Sequence, residues 1–218
     1  THTATIDGGG QGPALELFRA PSQIVGLVFE NGAENETTVP FGAGIRATSE
    51  SHTVLDGVRI ADNEGSGLYA SRSDFVIFDG EIESNAAAQG GGVRLEDSVL
   101  ELQGSTVSLN LASSQGAGIF ADGGAILSYF SSIESNITSG SGGGLAVYDT
   151  IVVINGGFVA DNLAGTTGGG AWIFTGFGDV FDNNAALLVS TNADWGSGSS
   201  DNVPNDVDVM GGVFAFGD

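Results

Sequence analysis

Hydrophobic and polar positions along the chain follow a repeating cassette and lack the spacing of an amphipathic helix. Each copy has a Gly-rich turn, a short aliphatic run, and a second apolar run that closes with aliphatic-x-x-Asn. The clearest turns are Gly42-Ala43-Gly44, Gly90-Gly91-Gly92, Gly116-Ala117-Gly118, Gly142-Gly143-Gly144 and Gly168-Gly169-Gly170. Their last glycine, with Gly67 as a looser copy, recurs every 23 to 26 residues, and the aliphatic-x-x-Asn closures from Asn63 to Asn162 recur every 22 to 26. This period indicates stacked repeats, each burying its apolar face against its neighbours.

The apolar runs predict strands. Between Gly142 and Asn162 they are three to five residues long and β-branched or aliphatic, and Gly or Ser interrupts them. A leucine-rich repeat would need a Leu-x-x-Leu-x-Leu framework and a helical half, and the chain has neither. The pattern therefore predicts an all-β fold, a parallel β-helix of about seven to eight coils with 22–26 residues per coil.

Alternation within the strands predicts three columns that run along the solenoid. The first inward ladder is Ile45, Leu68, Val93, Ile119, Leu145 and Ala171, and the second is Ala47, Ala70, Leu95, Ala121, Val147 and Ile173. The closing asparagines are Asn31, Asn63, Asn85, Asn110, Asn136, Asn162 and Asn184. We expect these asparagines at turns, because Asn tolerates left-handed backbone angles and its amide can bond to the Asn above and below.

The Gly-Gly-apolar turns and aliphatic-x-x-Asn closures resemble the repeats of right-handed parallel β-helix proteins. They are most similar to those of chlamydial polymorphic outer membrane proteins and related secreted bacterial β-helix proteins. The resemblance covers about residues 42–184, with Ile or Val where that family prefers Phe. The segment from Asp194 to Val207 resembles the tails of secreted β-helix proteins. The resemblance implies a right-handed coil.

The amino-acid composition limits the classes of molecule that the chain is expected to bind. Twenty-seven acidic residues against five basic ones give a net charge of −22, which repels nucleic acid, anionic lipid and acidic polysaccharide. The chain has no Cys, and no run of apolar residues is long enough to predict membrane insertion. We expect one β-helix domain over 1–218, with N-terminal coils at 1–41, regular repeats at 42–184 and a C-terminal coil with an acidic loop at 185–218. An acidic, Ser-, Thr- and Gly-rich surface favours an extracellular or cell-surface location.

The residues between the inward ladders, and a second column two residues further along each strand, are expected to face solvent and form binding columns. The candidates are Arg46, Tyr69, Arg94, Phe120, Tyr148, Trp172 and Phe174. Cations and rings alternate at one end, and rings alone form a patch at the other. Two interpretations stay open for the patch. Either a loop such as 191–209 covers it, or it binds a second copy of the chain or a neutral sugar ring.

A second candidate site lies in the acidic tail. Asp201, Asn202, Asp206 and Asp208 supply carboxylate and amide oxygens within eight residues, which suits Ca²⁺. The spacing is not that of an EF-hand, and an Asx-turn-rich surface loop is the alternative.

Catalytic chemistry has little support in the sequence. His2 and His52 are isolated, and the best acidic grouping is Asp56 stacked on Asp79. Arg59 and Arg72 are near this pair in sequence. Stacked like charges are more typical of a solvated or cation-binding strip than of a glycosidase pair. We therefore expect that the chain is not an enzyme.

The strand sequences near both termini suggest self-association. Val213, Phe214 and Phe216 form an apolar strand with no charged residue before Asp218, and 1–6 alternates like an edge strand. Pairing of these edges would build filaments, whereas loops 32–41 and 191–206 could instead cap them. The leading hypothesis is a secreted, non-enzymatic structural or adhesive module that assembles head to tail. The alternative is a carbohydrate-active β-helix that binds or cleaves a neutral polysaccharide.

Overall fold

In a computed structural model, the chain winds into a solenoid of short parallel strands. The structure describes residues 4–34, 42–174, 187–197, 200–204, 206–210 and 213–217. Each strand pairs in parallel with the equivalent strand of the next repeat, so successive coils stack along one axis. The predicted parallel β-helix is confirmed.

The strands form three long faces and one short sheet. First-face strands are β2 (Leu15–Phe18), β5 (Ile45–Thr48), β8 (Leu68–Ser71), β17 (Leu145–Tyr148), β20 (Ala171–Phe174) and β22 (Val207–Met210). Second-face strands are β3 (Ser22–Val25), β6 (His52–Asp56), β9 (Asp74–Phe78), β21 (Leu187–Thr191) and β23 (Val213–Gly217). Third-face strands are β1 (Ala4–Asp7), β4 (Leu27–Glu30), β7 (Arg59–Ala61), β10 (Glu81–Glu83) and β13 (Thr106–Ser108). The short sheet holds β11 (Ala86–Gln89), β14 (Leu111–Gln115), β16 (Ile137–Thr138) and β19 (Leu163–Ala164).

Three longer strands run around the corners between faces. They are β12 (Val93–Gln103), β15 (Ile119–Glu134) and β18 (Ile151–Ala160). The described residues complete about six turns, each with a strand on all three long faces. The expected seven to eight coils also counted the incomplete turns at the two ends, to which β1 and the strands from β20 onward belong.

The two predicted inward ladders are present and form the core. Ile119 stands between Val93 and Leu145, and Ala121 stands between Leu95 and Val147. Members of both ladders are at most 1% exposed. Because every inward residue packs on the residues above and below it, the core is one continuous apolar column.

Buried asparagines form a second ladder beside the core. The side-chain amide of each donates to the side-chain oxygen of the next, through Asn63, Asn85, Asn110, Asn136, Asn162 and Asn202. All six are at most 3% exposed. Each side-chain oxygen also accepts from the backbone N–H of the residue one coil earlier, as Asn110 does from Asn85 at 3.1 Å. The ladder therefore fastens every coil to the next with buried hydrogen bonds.

The structure corrects three expectations about this ladder. Asn31 is exposed and lies one residue too early, because Gly32 is the residue whose N–H donates to Asn63. The last member is Asn202, and Asn184 lies outside the described residues. Left-handed backbone falls on the residue before five of the six ladder asparagines, for example Leu109 at φ 57°. The ladder asparagines bond across coils and do not themselves supply the positive φ, whereas Asn31, outside the ladder, is left-handed at φ 53°.

The Gly-rich turns are required by close packing between coils. A Cβ at Gly92 would lie 2.6 Å from the Gly118 carbonyl oxygen and 2.8 Å from Nδ2 of Asn110. Any larger residue would push the turn away from the asparagine ladder. The repeated last glycine of the turn therefore follows from the ladder beside it.

Candidate functional site

The first face carries the predicted column of cations and rings. The Arg46 guanidinium carbon lies 5.9 Å from the centroid of the Tyr69 ring, one coil away. The same arrangement recurs two coils later, with Arg94 lying 5.5 Å from the Phe120 centroid. The predicted alternation of cations and rings is therefore present as cation–π stacking between neighbouring coils.

The polar ends of this column bond to one another. Arg94 Nη2 donates to Glu96 Oε1 at 2.9 Å, and Arg94 Nη1 donates to Gln89 at 3.1 Å. The Tyr69 hydroxyl donates to the other Glu96 oxygen at 2.8 Å. Arg46 forms an ion pair with Glu16, on the preceding coil. Sequence reasoning gave Glu96 no role in the site, because the acidic residue that bridges the two coils carries no motif of its own.

The column is far less exposed than expected. Tyr69 and Phe120 are each 5% exposed and Trp172 is 8% exposed. Contacts with side chains of neighbouring coils at the strand spacing leave little of each ring open to solvent. Burial, reinforced by the hydrogen bond to Glu96 and its charge, raises the pKa of Tyr69 to about 12. The expectation of an open binding column is therefore wrong for these rings.

The aromatic patch forms a separate apolar cluster on the same face. Tyr148 makes edge contacts with Trp172 and Phe174, each at 5.2 Å between ring centroids, and is tilted against Phe120 at 5.5 Å. The Trp172 and Phe174 rings stack at 5.7 Å. The Tyr148 hydroxyl accepts a 2.7 Å hydrogen bond from the Gln115 side chain. Burial raises the pKa of Tyr148 above its usual value, and the hydrogen bond from Gln115 offsets part of this rise.

The described residues of the tail do not fold over this patch as a covering loop. Its strand β22 continues the first face, so that Asp208 pairs with Trp172 and Met210 pairs with Phe174. Trp195 turns inward, joins the core, and donates from Nε1 to Ser190 at 2.9 Å. The stretch 191–209 thus extends the solenoid over its described part.

The acidic tail residues occupy different places in the coil. Asn202 is the last member of the buried ladder, and its side-chain oxygen accepts from Asn162, so it is not available to a cation. Asp206 accepts from the Asn202 amide at 3.0 Å, and Asp208 lies on β22. Asp201 is exposed at the corner before Asn202. Among the described residues, no group of three or more acidic or histidine side chains is placed to hold one metal ion.

Carboxylates do come together beside the first face. Burial raises the pKa of Asp122, and repulsion from Asp149, Asp97 and Glu96 raises it further. These groups lie at the corner between the first and second faces, where the charge density of this acidic chain is high. Their effect is electrostatic: they favour cations near this edge of the solenoid.

The predicted acidic stack is not formed. Asp56 pairs with Phe78, so Asp79 lies one residue further along the corner, level with Gly57. Arg59 is taken up by Glu83 at 2.7 Å and by Asp62 at 3.5 Å. The four residues therefore do not form the grouping that the sequence suggested.

The predicted assembly residues lie on the last second-face strand. Val213 pairs with Leu187, Phe214 with Leu188, and Phe216 with Ser190. Strand β1, in contrast, pairs with β4 on the third face. The expected addition of 1–6 directly onto β23 is therefore wrong in register: continued stacking of a second copy would bring β3, not β1, above β23.

No helix in the described part of the chain is long and apolar enough to cross a membrane.

Comparison with protein families places the coil in a known class. A family model described as a right handed beta helix region matches residues 9–126, more than half of the chain. Comparisons with curated proteins and with solved structures find no match. The fold supports a structural or a carbohydrate-related role in general. With parallel strands, stacked inward ladders and this match, the chain belongs to the right-handed β-helix family.

Proposed function

We propose that the chain is a non-enzymatic structural or adhesive module that works outside the cell or at its surface as a stiff rod. The observation that carries this proposal is that the polar side chains of the first face are bonded within the solenoid. The Tyr69 hydroxyl donates to Glu96 on the next coil, and the Arg94 guanidinium stacks on Phe120 of the coil after that. Arg94 also donates to Glu96 on its own coil, so both groups that first looked like binding groups already have partners inside the fold.

The corners of the solenoid support the same role. Ser51 N donates to Ser73 Oγ, and Ser73 N donates to Ser98 Oγ, at 3.2 and 3.1 Å. A similar chain links Ser105 to Ser131 at 3.0 Å at the next corner. Buried, satisfied networks rigidify the structures they cross. Together with the asparagine ladder, these bonds would resist bending and separation of the coils.

The adhesive part of the proposal rests on the short sheet. Its strands place one aliphatic residue of each coil in a single exposed line, namely Leu111, Ile137, Leu163 and Val203, at 41 to 51% exposure. Charged residues are absent from β11, β14, β16 and β19. Such a stripe on a molecule of net charge −22 is where another surface could approach without repulsion.

Electron micrographs of the native protein, combined with sedimentation analysis, test this proposal. Rods or filaments, and adhesion that is lost on Ile137→Lys but kept on the exposed control Phe158→Lys, would support it. A monodisperse monomer that cleaves polysaccharide would overturn it.

The aromatic cluster favours a second candidate, binding of a neutral polysaccharide. Tyr148 and Phe174 are the partly exposed rings of this cluster, whereas Trp172 lies buried beneath them. Partly exposed aromatic rings can stack against the apolar face of a sugar. Phe174→Ala removes one of these rings, so a glycan that binds here should lose affinity for this variant.

A further inference from the structure

An open cleft of about 700 Å³ lies at the corner where the second face ends. Three successive coils each contribute two adjacent residues to it, namely Phe78-Asp79, Gln103-Gly104 and Tyr129-Phe130. The outer coils supply the rings and the central coil supplies a glycine. The cleft is therefore a notch with aromatic walls.

Phe130 differs in residue type from the residues that occupy the same corner position in the other coils. Its backbone is left-handed, at φ 50°, and its side chain is 74% exposed. The equivalent left-handed residues are Gly26, Gly57, Asp79, Gly104, Gly156 and Asn192. These are the types that tolerate this conformation, whereas a bulky aromatic residue is strained by it. Phe130 thus combines backbone strain with an exposed ring, and such departures concentrate at binding sites.

The Phe130 ring is held in place by the next coil. It lies over Gly156, where an added Cβ would be 2.6 Å from Phe130 Cδ1. On the other side, Gly104 leaves the notch open toward Asp79, whose Oδ1 would lie 2.8 Å from a Cβ at Gly104. The ring and the carboxylate therefore flank the same gap.

The polar groups of the cleft are mainly acceptors. Gln103 donates to Glu101 Oε1 at 2.5 Å, which leaves its carbonyl oxygen free to accept. The ion pairs formed within the described residues do not include Asp79 or Glu101. Two carboxylates and an amide oxygen favour a ligand rich in donors, and guanidinium and ammonium groups have donors only.

The spacing of the rings suits a cation. Phe78 and Tyr129 lie in one column on either side of Gln103, with their backbones about 9.6 Å apart. The Gln103 amide bonds to Glu101, so a cation above Gln103 would approach both rings, and cation–π attraction extends to about 6 Å from a ring centroid. The chain already makes this contact at 5.5 Å between Arg94 and Phe120.

We propose that this cleft binds a guanidinium or ammonium group, carried by a small amine or by a basic segment of a partner protein. The net charge of −22 concentrates cations around the molecule, and the rings and carboxylates then select among them. The cleft is separate from the first-face column and does not depend on the structural role proposed above.

The test is an NMR titration of the full chain with N-acetyl-arginine amide and with its neutral citrulline counterpart. The arginine compound should shift the ring signals of Phe78, Tyr129 and Phe130, and bind roughly fivefold or more tightly than citrulline. Phe130→Asn removes the ring while retaining a residue that suits the left-handed backbone. It and Asp79→Asn should each weaken binding roughly fivefold, whereas the exposed control Phe158→Asn should not.

Further ligands distinguish the two sources of the cation. Binding of an Arg-Gly-Arg peptide well above the twofold statistical gain would identify a protein segment, and tighter binding of spermine would identify a small amine. Equal shifts with citrulline would overturn the proposal in favour of a neutral ligand. If the arginine compound still shifts the ring signals in both cleft variants, the binding is general attraction by the acidic surface and the proposed site is refuted. If the arginine compound causes no shifts in the parent, the proposal is also refuted.

Discussion

At the scale of single residues, the buried asparagines do most to join the coils. Asn110 donates to the Ile82 carbonyl at 2.9 Å and to Asn136 Oδ1 at 3.0 Å, and accepts from Asn85. Its side chain therefore touches the coils on both sides. A buried amide costs free energy unless it is satisfied, so this ladder also specifies which residues may lie opposite each other.

Asn110→Ala should destabilise the protein by about 2–5 kcal/mol. The change leaves the Asn85 N–H without its acceptor and removes the donor to Ile82. Denaturant unfolding measures the loss. Asn155→Ala, a partly exposed asparagine of the second face, is the control and should stay close to the parent. Equal effects of the two changes would contradict a role for the ladder.

Tyr69 should titrate late in the folded protein. Burial and Glu96 raise its pKa to about 12, above the usual 10. Below pH 10 the phenol is protonated in both states, so its contribution to stability is fully present. Between pH 10 and about 12 the unfolded chain releases this proton first, so stability falls as the pH rises. Ultraviolet titration should show late-titrating tyrosine signal from Tyr69 and Tyr148, and Glu96→Gln should lower the pKa of Tyr69.

At the scale of strands, the inward ladders could be predicted because alternation and period act together. A one-residue slip would turn Ile119 and Ala121 out of the core. At the first coil the prediction is off by one residue, since Asn31 is predicted in the ladder where Gly32 lies, and Phe29 is the inward residue, paired with Ile60. A Gly in place of the ladder asparagine removed the signal there.

The candidate site was harder to predict, because burial and charge pairing depend on neighbouring coils. The sequence places Arg94 and Phe120 in one column but does not reveal that Glu96 ties the column together. Asn202 follows Asn162 in the ladder after forty residues, well outside the repeat period. The sequence alone therefore assigns Asn202 to an acidic loop and not to the ladder. Phe130 carried no motif, and only its backbone conformation distinguishes it.

Ile119→Asp should unfold or strongly destabilise the chain. Ile119 is fully buried in the first ladder, so the carboxylate would have no partner, at a cost of more than about 3 kcal/mol. Ile151→Asp is the matched control, since Ile151 is 48% exposed and should lose less than about 1 kcal/mol. A melting temperature of the Ile119 variant within a degree or two of the parent would refute the register.

Calcium binding by the tail stays a prediction that chelation can test. With Asn202 occupied in the ladder, only Asp201, Asp206 and Asp208 remain as ligands, and water or backbone oxygens would have to complete the shell. If calcium binds the native state, EDTA should lower the melting temperature by mass action. Asp208→Asn should reduce that effect. An unchanged melting curve and no bound metal would end the hypothesis.

At the scale of the whole molecule, both ends of the solenoid present strands in the same column order. Strands β2 and β3 lie on the first and second faces near one end, and β22 and β23 lie on the same faces near the other. A second copy could therefore continue both columns by backbone pairing, which is the register that head-to-tail assembly requires. The charge of −22 opposes such contacts at low ionic strength.

Assembly through these edges should depend on the last second-face strand and on salt. Screening at about 0.5 M salt should favour longer assemblies, because it weakens repulsion between copies. Val213→Pro removes a backbone donor from β23, and deletion of 209–218 removes the edge, so either change should leave a folded monomer. Ile151→Asp alters a side face and should leave assembly unchanged. Light scattering and sedimentation at matched concentrations measure the sizes. An unaltered assembly size after deletion of the edge, or a parent that is monomeric even at high salt, would show that copies do not join through these strands. Contact between rods would then have to come from a side face such as the aliphatic stripe.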